Sequence, residues 1–233
     1  MKEMTIIVSA YNRPKRLERA LKSVFSQSIR GKLDIFVCDN GSPGKGQQNL
    51  LKKIEDRGVH VLRGPVEEPS QRALYCPMAT MINRALDLVE TPFVRYLLDS
   101  DMYTERSCEV LLDALTSGKG DLVWGQVLPL VGGKVGNAGP FASLGHNKIA
   151  EDLPRFNFIN HNSAAHRSGL VRWDTRAEAW KKADWLFWLR LLRAGYTFAN
   201  IGDPVEIYDW AGRMGATREK KQQTIEESLG ARA

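Results

Sequence analysis

The chain has 233 residues, enough for one substantial core or two small ones. Hydrophobic residues make up 43% and charged residues 26%, which excludes a disordered chain, and no apolar run is long enough to span a bilayer. The net charge of +6 suits a polyanionic partner: nucleic acid, an anionic membrane face, a phosphorylated acceptor or a diphosphate. The opening Met1-Lys2-Glu3-Met4 leads directly into an apolar run without a signal-peptide layout, so a cytoplasmic protein is expected. Cys38, Cys76 and Cys108 are odd in number and far apart, which predicts buried thiols rather than disulfides or a zinc site.

In chain order, residues 5–10 read as a buried strand, broken by Tyr11-Asn12-Arg13-Pro14. Over 15–27, Leu17, Ala20, Leu21, Val24 and Phe25 recur at helix spacing, and Pro14 suits an early helix position. A strand over 33–38 meets the turn Asp39-Asn40-Gly41-Ser42-Pro43-Gly44. Then come a helix over 47–57, a strand over 59–62, a helix over 78–89 and a strand over 93–98 that stops at Asp99-Ser100-Asp101. Strands joined by helices predict an α/β fold with a mostly parallel central sheet flanked by helices. Ligands of such sheets sit at the carboxyl ends of the strands. Three of those ends carry polar loops: Ala10-Tyr11-Asn12, Asp39-Asn40-Gly41-Ser42 and Asp99-Ser100-Asp101. The second half is less regular. It reads as a helix over 107–115, a strand over 121–130 and a glycine-rich stretch over 132–145 that is a candidate lid. A mixed apolar and Asn stretch over 156–165 follows. A helix over 183–194, short strands over 197–201 and 205–208, and a charged tail over 217–233 complete the chain.

Two carboxylates two residues apart at a strand exit are costly to hold together unless a cation is near. All-oxygen ligands favour magnesium or manganese. The same Asp-Ser-Asp triplet is also a good turn and capping sequence, so both readings stand on the residues alone.

In order and spacing these motifs resemble family 2 glycosyltransferases of the GT-A fold. Ile7-Val8-Ser9-Ala10-Tyr11-Asn12-Arg13-Pro14, with Leu17, Leu21 and Ser26-Gln27, resembles the family's first strand and helix. Cys38-Asp39-Asn40-Gly41-Ser42 resembles its second-strand turn, Asn83 an asparagine on the helix before the metal motif, and Leu98-Asp99-Ser100-Asp101 that motif. Ala183-Asp184-Trp185-Leu186-Phe187-Trp188-Leu189-Arg190, ending at Gly195-Tyr196, resembles the family's Glu-Asp helix. The resemblance implies one GT-A domain: a nucleotide-sugar-binding half over 1–105, an acceptor-binding half over 106–215 and a tail over 216–233. It implies an inverting transfer from a nucleotide-diphosphate sugar, UDP-linked as first choice, to an acceptor hydroxyl, assisted by Mn²⁺ or Mg²⁺. Ala10, Tyr11, Asn12, Arg13, Asp39, Asn40, Asn83, Asp99 and Ser100 would contact the donor. Asp101, with Asp99, would hold the metal, and Asp184 would be the general base. Read without the resemblance, Asp184 caps its helix or balances the helix dipole.

The chain departs from the family at three places. Ala183 stands where Glu is common, Asn40 where a second Asp is frequent, and Asp209 near an expected His, which makes Asp209 a candidate replacement ligand. On the acceptor side Trp173, Trp180, Trp185 and Trp188 fall among Arg172, Arg176, Lys181, Lys182, Arg190 and Arg193. Trp185 and Trp188 have core spacing, while Trp173 and Trp180 precede the helix. Aromatic faces stack on sugars and on bases, so Trp173, Trp180 and Trp185 are taken as acceptor contacts. The acceptor is read as a glycan or as modified, hydroxymethylated DNA. The alternative is a catalytically impaired module that binds a nucleotide-sugar or nucleic acid on the same fold. A nucleotidyltransferase is disfavoured, because the loop after the first strand has no glycine.

Overall fold

The computed structural model describes residues 1–137 and 148–209. The elements run β1 (Met4–Ala10), α1 (Pro14–Phe25), β2 (Leu33–Asp39), α2 (Lys45–Glu55), β3 (His60–Arg63), α3 (Pro69–Arg72), α4 (Pro77–Leu86) and β4 (Phe93–Leu98). They continue as β5 (Met102–Tyr103), α5 (Ser107–Thr116), β6 (Leu122–Val131), β7 (Lys134–Val135), α6 (Ile149–Asp152), β8 (Ala164–Arg167), α7 (Ala183–Arg193) and β9 (Phe198–Asp209).

Every residue of β1 is buried, because helices cover both faces of the sheet at that strand. Its side chains alternate: Ile6 and Val8 pack with Leu17, Leu21, Leu51 and Leu111, while Ile7 packs on the other side with Met81, Ile82, Phe187 and Trp188. The four strands β3, β2, β1 and β4 are parallel neighbours. Their register aligns Ala10 with Asp39 and Ser9 with both Cys38 and Leu98. The three polar loops therefore leave the sheet side by side at one edge.

The parallel expectation holds for that half. In the other half β8 runs antiparallel to β4 and β6, and β6 is parallel to β9. Among the described residues between β7 and β8 the one helix is the short α6, and β8 runs back against both β4 and β6. The two short strands expected over 197–201 and 205–208 form one strand, β9, with register shifts opposite Trp124 to Val127. The glycine-rich stretch opens as a tight hairpin: Gly132 and Gly133 both have left-handed φ, 57° and 78°, and Val131 pairs with Lys134. The rest of the candidate lid, over 138–145, and the tail over 217–233 lie outside the described residues. All three cysteines are buried thiols, as expected, and burial pushes Cys38 up to about 12. No described helix is long and apolar enough to cross a membrane.

Candidate functional site

Main-chain and side-chain bonds lace the three strand-end loops together. Asp39 is buried and accepts the Ser42 N–H at 2.8 Å, the Ser42 hydroxyl at 2.5 Å and the Gln47 amide at 3.3 Å. Ser42 Oγ in turn accepts the Asn12 N–H at 2.7 Å. Asn12 is left-handed at φ 49°, a conformation that asparagine tolerates. The Asn40 N–H donates to the Ala10 carbonyl at 2.9 Å, and the Tyr11 N–H donates to Asp99 Oδ2 at 3.2 Å. Ala10 thus contributes its main chain, since its side chain is core. Gly41 has φ +81°, and a Cβ there would stand 1.8 Å from the Pro65 carbonyl oxygen.

Arg72, at the end of α3, is buried and donates to the Asn40 carbonyl. Its guanidinium carbon lies 4.0 Å from the Tyr11 ring centroid. Tyr11 stays 38% exposed, so its ring is backed on one side by the Arg72 cation while part of it remains open. Sequence reasoning misses Arg72, because α3 is four residues long and shows no periodicity.

The acidic turn is tightly held. Burial pushes the Asp99 carboxyl above its ordinary range and Asp101 adds to that push, while the Tyr11 N–H, Arg13 and Arg16 pull it back. Arg13 Nη1 lies 3.7 Å from Asp99 Oδ1. The Ser100 hydroxyl donates to Asp101 Oδ2 at 2.9 Å, and its carbonyl accepts from Arg19 at 2.9 Å. Asp101 is fully buried. Its Oδ1 accepts the Asp209 N–H at 3.1 Å and its Oδ2 accepts the Asn162 amide at 3.0 Å.

The carboxylate of Asp209, a candidate metal ligand by sequence, forms a 2.5 Å ion pair with Arg19. The cause is the approach of α1 to the end of β9, which brings a guanidinium to that carboxylate. Asp99 and Asp101 remain hard oxygen donors, and a cation would relieve the charge that burial penalises at Asp99. These two residues fit a divalent ion. Among the described residues no group of three Asp, Glu, His or Cys side chains could hold one. Such an ion would take its remaining ligands from a bound diphosphate or water.

In the second half of the chain, Asp184 lies in the first turn of α7 and its Oδ1 accepts the Trp185 N–H at 2.8 Å. Lys182 is the N-cap residue, so Asp184 is not the cap, though its place suits the helix dipole. Two sequence-based assignments change. Trp173 is only 2% exposed, stacks on Phe187 at 4.6 Å and meets Tyr96 edge-on at 5.0 Å, so it is a core residue and not an acceptor contact. Asn83, expected at the donor, braces that core. It accepts the Trp173 N–H at 2.9 Å and donates to the Trp173 carbonyl at 3.0 Å.

Trp180 is 47% exposed on the 3₁₀ turn Ala177–Lys182, just before Asp184. Trp185 is half-buried and donates to the Leu153 carbonyl at 2.7 Å, and Trp188 is core. Hydrogen bonds from Arg176 hold Asp174 down at about 2, with Arg190 adding charge, which ties the approach to the 3₁₀ turn onto α7. Cys76 donates its N–H to the Thr175 carbonyl at 2.7 Å and Tyr75 pairs with Arg176. The segment that carries Arg72 is therefore joined to the approach to Trp180 and Asp184.

Residues 5–138 match the family described as Glycosyl transferase family 2. Protein CgeD of Bacillus subtilis (strain 168) is 25% identical over 200 residues, covering 81% of this chain and 46% of that protein. The chain thus spans about half the length of that curated relative. Among solved structures, S. aureus TarS 1-349 in complex with UDP matches with a TM-score of 0.66 at 17% identity, covering 89% of this chain and 60% of that one. The complex of TarS 1-349 with UDP-GlcNAc gives 0.64 at 16% identity, over 89% and 58%. At such identities the likeness is one of fold, and it is that of a GT-A α/β domain with an open central sheet. With the family match covering more than half of the residues, the chain belongs to glycosyl transferase family 2.

Proposed function

We propose that the chain is an inverting glycosyltransferase that moves a sugar from a nucleotide-diphosphate sugar, UDP-linked as first choice, to an acceptor hydroxyl. The observation that carries this is the convergence of the β1, β2 and β4 loops, in which Tyr11 bonds to Asp99, Asn12 to Ser42 and Asn40 to Ala10. Membership of the family supports it, as do the TarS relatives, described in complex with UDP and UDP-GlcNAc.

In this reading the open face of Tyr11, steadied by Arg72, stacks on the base. Asp39, Asn40 and Asp99 meet the ribose and its neighbouring phosphate, and Arg13 faces the diphosphate at the rim. Mn²⁺ or Mg²⁺ would be held by Asp99 and Asp101, supplying charge that stabilises the departing diphosphate. Asp184 takes the proton of the acceptor hydroxyl. As that oxygen bonds to the anomeric carbon, the bond from the carbon to the diphosphate oxygen breaks, and a single displacement inverts the centre. Trp180 offers the acceptor an exposed ring, with Lys181 and Lys182 beside it. That pairing suits a glycan, and equally the phosphates of hydroxymethylated DNA.

The test is a thermal-shift panel of UDP, GDP, dTDP and CMP, each with Mn²⁺, Mg²⁺ or EDTA. UDP should raise the melting temperature in the presence of metal, and Asp99→Asn should remove the rise. No rise with any nucleotide in a folded sample would refute the donor site.

A further inference from the structure

Asn162, in the loop that enters β8, is completely buried beneath the acidic turn. Its side-chain oxygen accepts the N–H of Leu98, the last residue of β4, at 2.8 Å. Its Nδ2 donates one hydrogen to Asp101 Oδ2 at 3.0 Å and the other to Glu206 Oε1, on β9, at 2.8 Å. Its main-chain carbonyl accepts from Arg95 Nη2 at 3.1 Å. Arg95 is buried too. It donates to Ser107 Oγ at 2.6 Å and to the Val205 carbonyl at 2.9 Å, and its guanidinium carbon lies 3.5 Å from the Tyr103 ring centroid. One carboxamide thus ties β4, the acidic turn and β9 together.

The residue type follows from chemistry. Two carboxylates, Asp101 and Glu206, stand within hydrogen-bond reach of one NH₂ group, and ionised carboxylates only accept. The group between them needs two donors and no charge. Aspartate there would repel both, serine would serve one, and lysine or arginine would cancel the negative charge that Asp101 brings to the site. The Leu98 N–H fixes which way the amide points, because a flipped amide would set NH₂ against N–H.

We propose that Asn162 is a positioning residue for donor binding: it aims the Asp101 carboxylate in the acidic turn and acts on the nucleotide only through Asp101. This rests on the donor reading above. Glu206 takes the second hydrogen and keeps the amide from turning toward Asp101 alone.

The experiment is calorimetric titration of the full chain with UDP and Mn²⁺. It compares wild type, Asn162→Ala, Asp101→Ala and the double variant. Gln27→Ala serves as the control, because Gln27 is likewise a buried amide, bonded to Ser23, Thr104, Cys108 and Ser107 and to neither Asp101 nor Asn162. Asn162→Ala should weaken UDP binding about tenfold. The double variant should bind no more weakly than Asp101→Ala alone, because both changes act on one group. Gln27→Ala should lower the melting temperature and leave UDP affinity unchanged. Additive losses, or UDP affinity unchanged in Asn162→Ala, would overturn the proposal while leaving the donor site intact. A wild type that does not bind UDP would overturn the donor reading and this one with it. If Asn162→Ala does not fold, Asn162→Ser adds no charge and leaves at most one of the two donated hydrogens, and it carries the same comparison.

Discussion

Acidification tests the buried Tyr96–His166 pair that underlies β4 and β8. His166 Nδ1 lies 2.5 Å from the Arg167 carbonyl, which can only accept, so Nδ1 carries the proton. Nε2 then accepts from the Tyr96 hydroxyl at 2.8 Å. The ring is neutral, and burial pushes its pKa from 6.5 down to about 4, with the Arg167 carbonyl opposing that shift. The unfolded chain takes up this proton near 6.5 and the folded chain only near 4. Between those values the unfolded state holds more protons, so the stability from this site is full above 6.5 and is lost as the pH falls toward 4. At about 1.4 kcal/mol per pH unit the window is worth about 3 kcal/mol, a large part of the ~5–15 kcal/mol that holds a typical domain. Urea denaturation at pH 7, 6, 5 and 4 measures it on wild type and on His166→Gln, which cannot titrate. The difference between the two removes Asp99, whose raised carboxyl acts in the opposite direction, and Asp174, which responds only below the window. The advantage of wild type over the variant should shrink by about 3 kcal/mol from pH 7 to pH 4. A difference that stays constant with pH would refute the neutral, buried imidazole.

Three other outcomes are expected. Asp184→Asn should bind UDP as wild type does and slow transfer, read as UDP release, by about 10²–10⁴-fold; a full rate would remove Asp184 as the base. Gly41→Ala should cost about 1–2 kcal/mol for its left-handed φ alone, and the 1.8 Å contact of its Cβ with the Pro65 carbonyl leaves no flexible side chain to yield. Its melting temperature and UDP affinity should fall together, and if neither moves, the turn is not built as described. Trp173→Ala should cost about 3–5 kcal/mol in urea denaturation, whereas Trp180→Ala should stay within about 0.5 kcal/mol and raise the KM for acceptor. Equal losses of stability would contradict their different burial.

The parallel half of the sheet is legible in the sequence because its inner strands β1, β2 and β4 are almost wholly buried and therefore mostly apolar. The strand expected over 93–98 is β4 at the same bounds, and β1 differs from its expected start by one residue. In β9, Gly202-Asp203-Pro204 reads as a break, yet pairing with β6 absorbs it through register shifts. The site divides in the same way. Asp39, Asp99 and Asp101 stand at strand ends that local pattern can find. The ion-pair partner of Asp209 cannot be read, because Arg19 is 190 residues away, and Trp173 is bonded to Asn83, 90 residues away. Asn162 left a fainter trace: Asn160-His161-Asn162-Ser163 is a polar run among apolar neighbours, and three of those four residues are buried. A polar run inside a core asks for partners, but spacing does not say which.

The bonds of Asp101 to Asn162 and Asp209 close loops of 61 and 108 residues. β1, β2, β3 and β4 are complete by Leu98, and the loops that leave them can lace together once that residue has been synthesised. The acidic turn stays without its clamps until β8 and finally β9 are synthesised and docked, and such distant closures are the slow ones. A ligand taken up at the Asp-Ser-Asp turn, as proposed, would therefore find nothing firm to grip during synthesis, and could stabilise the fold there only after β9 has docked.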